Sequence, residues 1–227
     1  MSRRVWIYLL AAAVGTAVAT VTAPFGWISV AAKAALAVGG IAVLALLGRG
    51  NLWRGDPLSP WALTALIPLG FQWAMTGAPF AALGASPTLW LTLAGVTVTA
   101  LWEETVFRGI ALAATESDGE VPARAVVLTA LVFGAAHLTT ALTAPLATAL
   151  TQAVFAAVQG AFWMGLTRRT RSLLPVLVTH WLMNAMIAAY GAVSVAAPLD
   201  TTWMLALQIA VTAALAVWLN GKKKQPL

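Results

Sequence analysis

Long apolar stretches separated by short polar or proline-containing breaks fill most of the sequence. They lie at about residues 5–22, 28–47, 61–75, 88–114, 121–138, 146–166, 173–189 and 201–219. A helix that crosses a bilayer needs roughly 20 apolar residues, and most of the stretches approach this length. Most of the prolines fall at or near the breaks, where residues that end helices are expected. The pattern predicts an all-α, polytopic transmembrane bundle of about eight spans, forming a single domain over residues 1–227.

Composition supports a membrane protein over a soluble one. The chain is 61% hydrophobic and 9% charged, whereas soluble domains contain about 25% charged residues. Its mean hydropathy is +0.87. Few residues are left for a soluble domain. We therefore expect an integral multi-pass protein, and the abundance of alanine, valine and leucine favours a bacterial plasma membrane.

The basic residues predict the orientation. They occur at both termini and in alternate connections: Arg3, Arg4, Arg49, Arg54, Arg124, Arg168, Arg169, Arg171, Lys222, Lys223 and Lys224. Connections that follow the first, third, fifth and seventh stretches contain no lysine or arginine. Because cytoplasmic loops are enriched in these residues, both termini are predicted to be cytoplasmic. The net charge of +6 then reflects orientation and not nucleic-acid binding.

Lys33 and the acidic residues near position 118 can be explained without a functional site. Lys33 lies near a predicted helix start, where snorkelling or an error in the boundary accounts for it. Glu116 and Glu120, with Asp118, are predicted to form a solvated cytoplasmic turn.

A small set of ionisable and amide side chains lies within the predicted spans. They are Glu103, Glu104, Arg108, His137, His180 and Asn184. A charge at the centre of a membrane helix costs roughly 2.5–3.5 kcal/mol on insertion scales, so such residues mark functional sites by default. Residues four apart share a helix face, which places Glu104 with Arg108 and His180 with Asn184. Glu103 points about 100° away from Glu104, so the two carboxylates are expected to have different roles.

Each of these residues also has a structural explanation when taken alone. An intramembrane histidine or asparagine often makes a hydrogen bond between helices, and Glu104 with Arg108 can form a purely structural ion pair. The coincidence of both histidines of the chain with both membrane glutamates favours a functional polar site suited to acid–base chemistry.

Several kinds of protease site are not supported by the sequence. The chain has no cysteine, which excludes thiol nucleophiles, disulfides and thiolate metal sites. Neither histidine is followed by the glutamate of the His-Glu-x-x-His zinc motif. Asp56, Asp118 and Asp200 fall in predicted loops, and Ser194 has no surrounding motif. What remains is chemistry in which carboxylate and imidazole activate water.

Three motifs in chain order carry a resemblance to a known family. They are Glu103-Glu104-Thr-Val-Phe-Arg108-Gly109, Phe-x-x-x-His at Phe133–His137, and His-x-x-x-Asn at His180–Asn184. With these motifs on separate predicted membrane helices, the chain resembles the CPBP family of CAAX proteases and bacteriocin-processing enzymes, which are intramembrane endopeptidases. The resemblance covers about residues 85–190, and it implies an eight-span helical architecture.

The resemblance also implies a role for each matching residue. Glu103 is the expected general base, which together with His137 holds and activates a water. His180 and Asn184 are expected to stabilise the oxyanion, and Glu104 with Arg108 to support the site. No cofactor is expected to be required. The alternative is zinc or another divalent metal, held by Glu103, His137 and His180.

The expected function is therefore hydrolysis of a peptide bond in the membrane, in the manner of a CAAX protease. The expected partners are the lipid bilayer and a peptide or membrane-anchored protein substrate, either a prenylated tail or a leader peptide, but no nucleic acid. Two alternatives stay open: a non-catalytic scaffold of the same family, and a proton-coupled transporter that uses the same side chains as a relay. The sequence predicts no particular oligomeric state.

Overall fold

The computed structural model describes residues 2–77, 87–117, 119–193 and 201–221, which are almost entirely helical and contain no β-strand. The helices are α1 (Arg3–Thr22), α2 (Trp27–Leu46), α3 (Leu66–Thr76), α4 (Pro87–Glu104), α5 (Ala111–Thr115), α6 (Ala123–Ala136), α7 (Leu146–Thr170), α8 (Leu174–Val193) and α9 (Thr201–Asn220). A π-helical turn, Thr105–Ile110, joins α4 to α5. Turns of 3₁₀ helix precede α3, at Pro60–Ala65, and follow α6, at His137–Leu142.

The predicted all-α class is confirmed for the described residues, and each apolar stretch contains a helix. Five helical segments in this part of the chain are long and apolar enough to cross a membrane: Arg3–Thr22, Trp27–Leu46, Ala123–Leu142, Leu146–Thr170 and Thr201–Asn220. Helix α3 has 11 residues, which is short for a span. The chain is thus a multi-pass helical membrane protein, while the count of eight spans and the cytoplasmic termini stay predictions.

Several basic connections meet at one end of the bundle, which we call the basic end. The loop after α2 pairs with the turn after α7, since Asp56 N donates to Thr170 O (2.9 Å) and Leu173 N donates to Leu52 O (2.8 Å). Arg169 caps the end of α9, where its Nε donates to the carbonyl of Leu219 (2.9 Å). The basic end is thereby a connected layer of loops and helix ends.

Glu116 joins the loops of this layer. The prediction that its side chain is solvated is therefore wrong. Its side chain is only 2% exposed, and it forms ion pairs with Arg49 (2.7 Å) and with Arg171. Three separate connections are therefore joined by one buried carboxylate. Glu120 does match the prediction, because its side chain is 69% exposed.

The opposite end, which we call the open end, is formed by the connections 23–26 and 137–145. These connections contain no lysine or arginine. Burial differs between the two ends along the same helices. In α7, residues 162–167 are all buried toward the basic end, whereas most of residues 145–152 are exposed at the open end. The packed core therefore fills the half of the bundle nearest the basic end.

Small residues bring α6 and α7 into close contact beside the site. A Cβ atom at Gly134 would lie 2.7 Å from the carbonyl oxygen of Ala153, and one at Gly160 would lie 3.2 Å from the Phe133 ring. Glycine at these positions lets two membrane helices approach closely. This contact fixes the end of α6, from which His137 projects.

Some sequence predictions concern residues outside the described ranges. These residues are Asp118, Ser194, Asp200, Lys222, Lys223 and Lys224. Asp56 is described and lies in a loop, as predicted. Lys33 lies in the second turn of α2 (Trp27–Leu46), near the helix start as predicted, so an error in the boundary does not explain it.

Candidate active site

The paired glutamates occupy the point where the regular helix α4 changes into the π-helical turn. Glu103 and Glu104 end α4, and the wider turn Thr105–Ile110 follows directly. The Thr105 hydroxyl donates to the Leu101 carbonyl (2.7 Å), which supplies that carbonyl with a partner at the transition. Single π-helical turns within α-helices are frequent at functional sites. Here the turn keeps Arg108 on the side of Glu104.

Glu104 is a fully buried carboxylate with two charged or polar partners. Its Oε2 lies 3.2 Å from Arg108 Nε, which confirms the predicted pair. Its Oε1 lies 2.6 Å from His180 Nδ1, a contact that the sequence did not predict. A buried charge is tolerated only where it is paired. Glu104 therefore connects the π-helical turn to α8.

Two aromatic rings cover the Arg108 guanidinium. Its central carbon lies 4.0 Å from the centre of the Phe133 ring and 4.7 Å from that of Trp163. Arg108 itself is completely buried. Cation–π contacts of this kind stabilise a cation when it is removed from water. The positive charge is therefore held by Glu104 on one side and by α6 and α7 on the other.

His180 lies between the two glutamates. Its Nδ1 contacts Glu104, while its Nε2 is 3.7 Å from Glu103 Oε2. The ring stacks on Trp163, with centroids 4.6 Å apart and planes inclined by 26°. Because a carboxylate oxygen accepts, Nδ1 is the donor in the contact with Glu104. That contact orients the ring and directs Nε2 toward Glu103.

His137 is oriented by its own helix. Its Nδ1 lies 2.9 Å from the Phe133 carbonyl, which can only accept, so Nδ1 carries the proton. The ring packs edge-on against Phe133, with centroids 4.7 Å apart. In the neutral ring, Nε2 is then an acceptor. This is the form needed to take a hydrogen bond from a water.

Cavities connect the histidines with Glu103 and Asn184. The first, the Glu103 cavity, has a volume of about 430 Å³ and is lined by Glu103 and His137. The second, the His180 cavity, has a volume of about 620 Å³ and is lined by His137, His180 and Asn184. His137 borders both. The predicted placement of His180 and Asn184 on one face is consistent with their shared cavity.

The predicted residues thus converge to different degrees. Glu103, Glu104, Arg108 and His180 form one contact group, and its members come from α4, the π-helical turn and α8. His137 and Asn184 border the same cavities as members of that group. The Glu103 side chain is 13% exposed, and its buried Oε2 makes no hydrogen bond to the described residues. Glu103 also lines the Glu103 cavity, so its side chain borders space that a water or a peptide group can occupy.

Two contributors were missed by sequence reasoning. Lys33 lines the Glu103 cavity and is close enough to Glu103 for their charges to interact. Its position within an apolar stretch was the available signal, but it was attributed to snorkelling. Trp163 contacts both Arg108 and His180, yet a tryptophan in a membrane helix gives no such signal.

The metal alternative would use donors that already line the cavities. Within the described ranges, no group of three or more histidine and acidic side chains is disposed to hold a metal ion. Glu103 and His137 line one cavity, and His137 and His180 line the next. A zinc site made of these three side chains stays a prediction.

A comparison with protein families supports the predicted resemblance. Residues 85–186 match the family described as Rce1-like, type II CAAX prenyl endopeptidase. This part of the chain is therefore similar to the CAAX protease family. The Rce1-like segment runs from before α4 into α8, and it contains every predicted site residue. Curated proteins and solved structures gave no match to the chain. Lys33, on α2, lies outside the Rce1-like segment.

Proposed function

We propose that the protein is an intramembrane endopeptidase whose active site lies between α4, α6 and α8. The observation that carries this proposal is the position of His180 between Glu103 and Glu104, beside cavities that also reach His137 and Asn184. The similarity of residues 85–186 to the Rce1-like family supports the same reaction class. The substrate is a peptide tail or a membrane-anchored protein. The apolar side chains of the His180 cavity, among them Met75, Phe155 and Ile187, suit an apolar portion of that substrate.

The reaction begins with a water held between Glu103 and the Nε2 atom of His137. Glu103 takes a proton from the water as its oxygen attacks the peptide carbonyl carbon. The carbonyl oxygen becomes an oxyanion that accepts hydrogen bonds from His180 Nε2 and the Asn184 amide. When the tetrahedral intermediate collapses, the carbon–nitrogen bond breaks and the amine takes the proton from Glu103. The products are a new carboxylate and a new amine.

Glu104 acts in this scheme as a positioning residue for His180. Since Nδ1 of His180 already donates to Glu104, donation from Nε2 to the oxyanion requires the doubly protonated imidazolium. Glu104 lies 2.6 Å from Nδ1 and so fixes the direction of the ring. Arg108 in turn balances the charge of Glu104 and holds it in place.

Cleavage of peptides by the purified protein tests the proposal directly. We expect mass spectrometry of a prenylated C-terminal peptide, together with a library of apolar peptides, to reveal products cut at an internal bond. The same products are expected after treatment with a chelator, because the proposed reaction uses only side chains and water. Loss of cleavage on chelation with recovery on zinc would overturn the metal-free mechanism. A folded protein that leaves every peptide intact would instead favour the scaffold or the transporter.

Lys33 is expected to assist the base without touching the scissile bond. Lys33 lines the Glu103 cavity, and its charge interacts with that of Glu103. Replacing Lys33 by methionine removes this charge while keeping the length of the side chain. We expect kcat/KM to fall about tenfold, equivalent to ~1.4 kcal/mol. Lys33→Arg is the matched control and should retain most of the activity. Equal activity of the methionine and arginine variants would contradict this role.

A further inference from the structure

The Glu103 cavity extends toward the open end of the bundle. Its lining includes Ala23 and Pro24, from the connection after α1, and Thr140 and Thr143, from the connection after α6. Thr143 is exposed. The hydroxyls of Thr16, Thr20 and Thr139 also line this cavity. Hydroxyl groups along the route are suited to hydrogen bonds with a peptide backbone.

A third cavity reaches the site from the same end. It has a volume of about 270 Å³, and its lining combines Ala23 and Gly26 with Leu91 near the start of α4. Lys33 and Thr99 line both this cavity and the Glu103 cavity, and Asn184 lines both this cavity and the His180 cavity. Two cavities thus run from the open end to the proposed catalytic residues.

The basic end is packed on the other side of the site. Every residue from Glu104 to Ala114 is buried, so the chain between Glu103 and the basic end lies within the core. Leu173 and Leu44 pack on Gly109, where an added Cβ would lie 3.0 Å from a Leu44 methyl carbon. Beyond them, the ion pairs of Glu116 join the connections. The cleft between Glu120, Arg168 and Arg171 holds only about 20 Å³.

The charge distribution assigns the two ends to the two sides of the membrane. Arg49, Arg168, Arg169 and Arg171 are placed at the basic end by their contacts. The connections of the open end, 23–26 and 137–145, contain no lysine or arginine. Since short loops rich in these residues stay in the cytoplasm, the open end faces the opposite side.

We propose that the substrate reaches Glu103 from the non-cytoplasmic side of the membrane. This inference rests on the proposed peptidase function and specifies its substrate class. The substrate is a peptide segment, free or membrane-anchored, that is exposed outside the cytoplasm. A tail confined to the cytoplasm does not reach the base, because the packed residues 104–114 lie in between.

Thiol labelling tests the direction of access. The natural chain has no cysteine, so each single-cysteine variant carries one thiol. Thr143→Cys reports on the open end and Arg54→Cys on the basic end, and both residues are exposed. Thr99→Cys places a thiol inside the Glu103 cavity. Each variant is treated with a membrane-impermeant maleimide in intact cells and in inverted membrane vesicles.

We expect Thr143→Cys and Thr99→Cys to be labelled in intact cells, and Arg54→Cys only in inverted vesicles. Two results for Thr99→Cys would overturn the inference. One is labelling only from the side on which Arg54→Cys is labelled. The other is no labelling from either side, although the thiol reacts after denaturation. The inference would also be overturned if Thr99→Cys and Thr143→Cys were both labelled in inverted vesicles and neither in intact cells. Thr16→Cys, which lines the same cavity, replaces Thr99→Cys if that variant fails to fold.

This labelling result is separate from peptidase activity. If no peptide is cleaved, the proposed function fails, but the direction of access is still measured. If cleavage is found, modification of Thr99→Cys by the maleimide is expected to abolish it, whereas modification of Arg54→Cys leaves it unchanged. Full activity after modification of Thr99→Cys would contradict the use of this cavity by the substrate.

Discussion

Glu103→Gln is expected to abolish detectable peptide cleavage while leaving the fold intact. Glutamine has the shape of glutamate but cannot take a proton from water, and loss of a general base lowers rates by roughly 10²–10⁴-fold. Stability should not fall, because Glu103 lines a cavity and its Oε2 makes no hydrogen bond to the described residues. The measurements are the initial rate of cleavage and the thermal unfolding of the purified protein in detergent.

Glu120→Gln supplies the matched control for this variant. It makes the same chemical change at the basic end, on a side chain that is 69% exposed. We expect its cleavage rate to equal that of the natural protein. Undiminished turnover by a folded Glu103→Gln protein would rule out the general-base role. Equal losses in both variants would indicate a general effect of charge removal and not an effect at the site.

Glu104→Gln is expected to have the larger effect on stability. The change removes the charge that pairs with the buried Arg108, whose guanidinium then keeps its contacts with the Phe133 and Trp163 rings. Breaking a buried ion pair on one side typically costs about 3–5 kcal/mol. It also weakens the contact that orients His180, so activity should fall as well. The free energy of unfolding, measured by denaturant titration in mixed micelles, gives the size of the loss.

The double variant Glu104→Gln/Arg108→Met separates stability from activity. Methionine fits between the two aromatic rings and removes the unpaired charge. We expect most of the lost stability to return, because an apolar replacement for a buried ion pair is often neutral or stabilising. Cleavage should stay low, since His180 is still without its carboxylate. A Glu104→Gln protein as stable as the natural one would show that this pair contributes little to the fold.

The apolar pattern predicted the helices well because the bilayer allows few alternatives. Backbone groups within lipid must be bonded internally, so a long apolar stretch becomes a helix. The bounds of α1, α2 and α9 accordingly lie within a few residues of the predicted ones. Inside α4, however, the pattern did not indicate the π-helical turn Thr105–Ile110. That turn depends on local packing and hydrogen bonding, which periodicity does not report.

The site was predictable where residues share a helix and less so where helices meet. The spacing of Glu104 and Arg108 was sufficient to predict their pair. The contact of Glu104 with His180 depends on how α8 packs against α4, which no spacing within one helix encodes. Lys33 illustrates a different failure. A single lysine in an apolar stretch was attributed to snorkelling or to an error in the boundary, so its position in the Glu103 cavity was not predicted.

The contact between Glu104 and His180 joins residues 76 positions apart in the chain. A growing polypeptide inserts α4 long before α8 has been synthesised, so its acidic pair is present without the imidazole that completes the site. The proposed site is therefore complete only after α8 has been synthesised and has packed against α4.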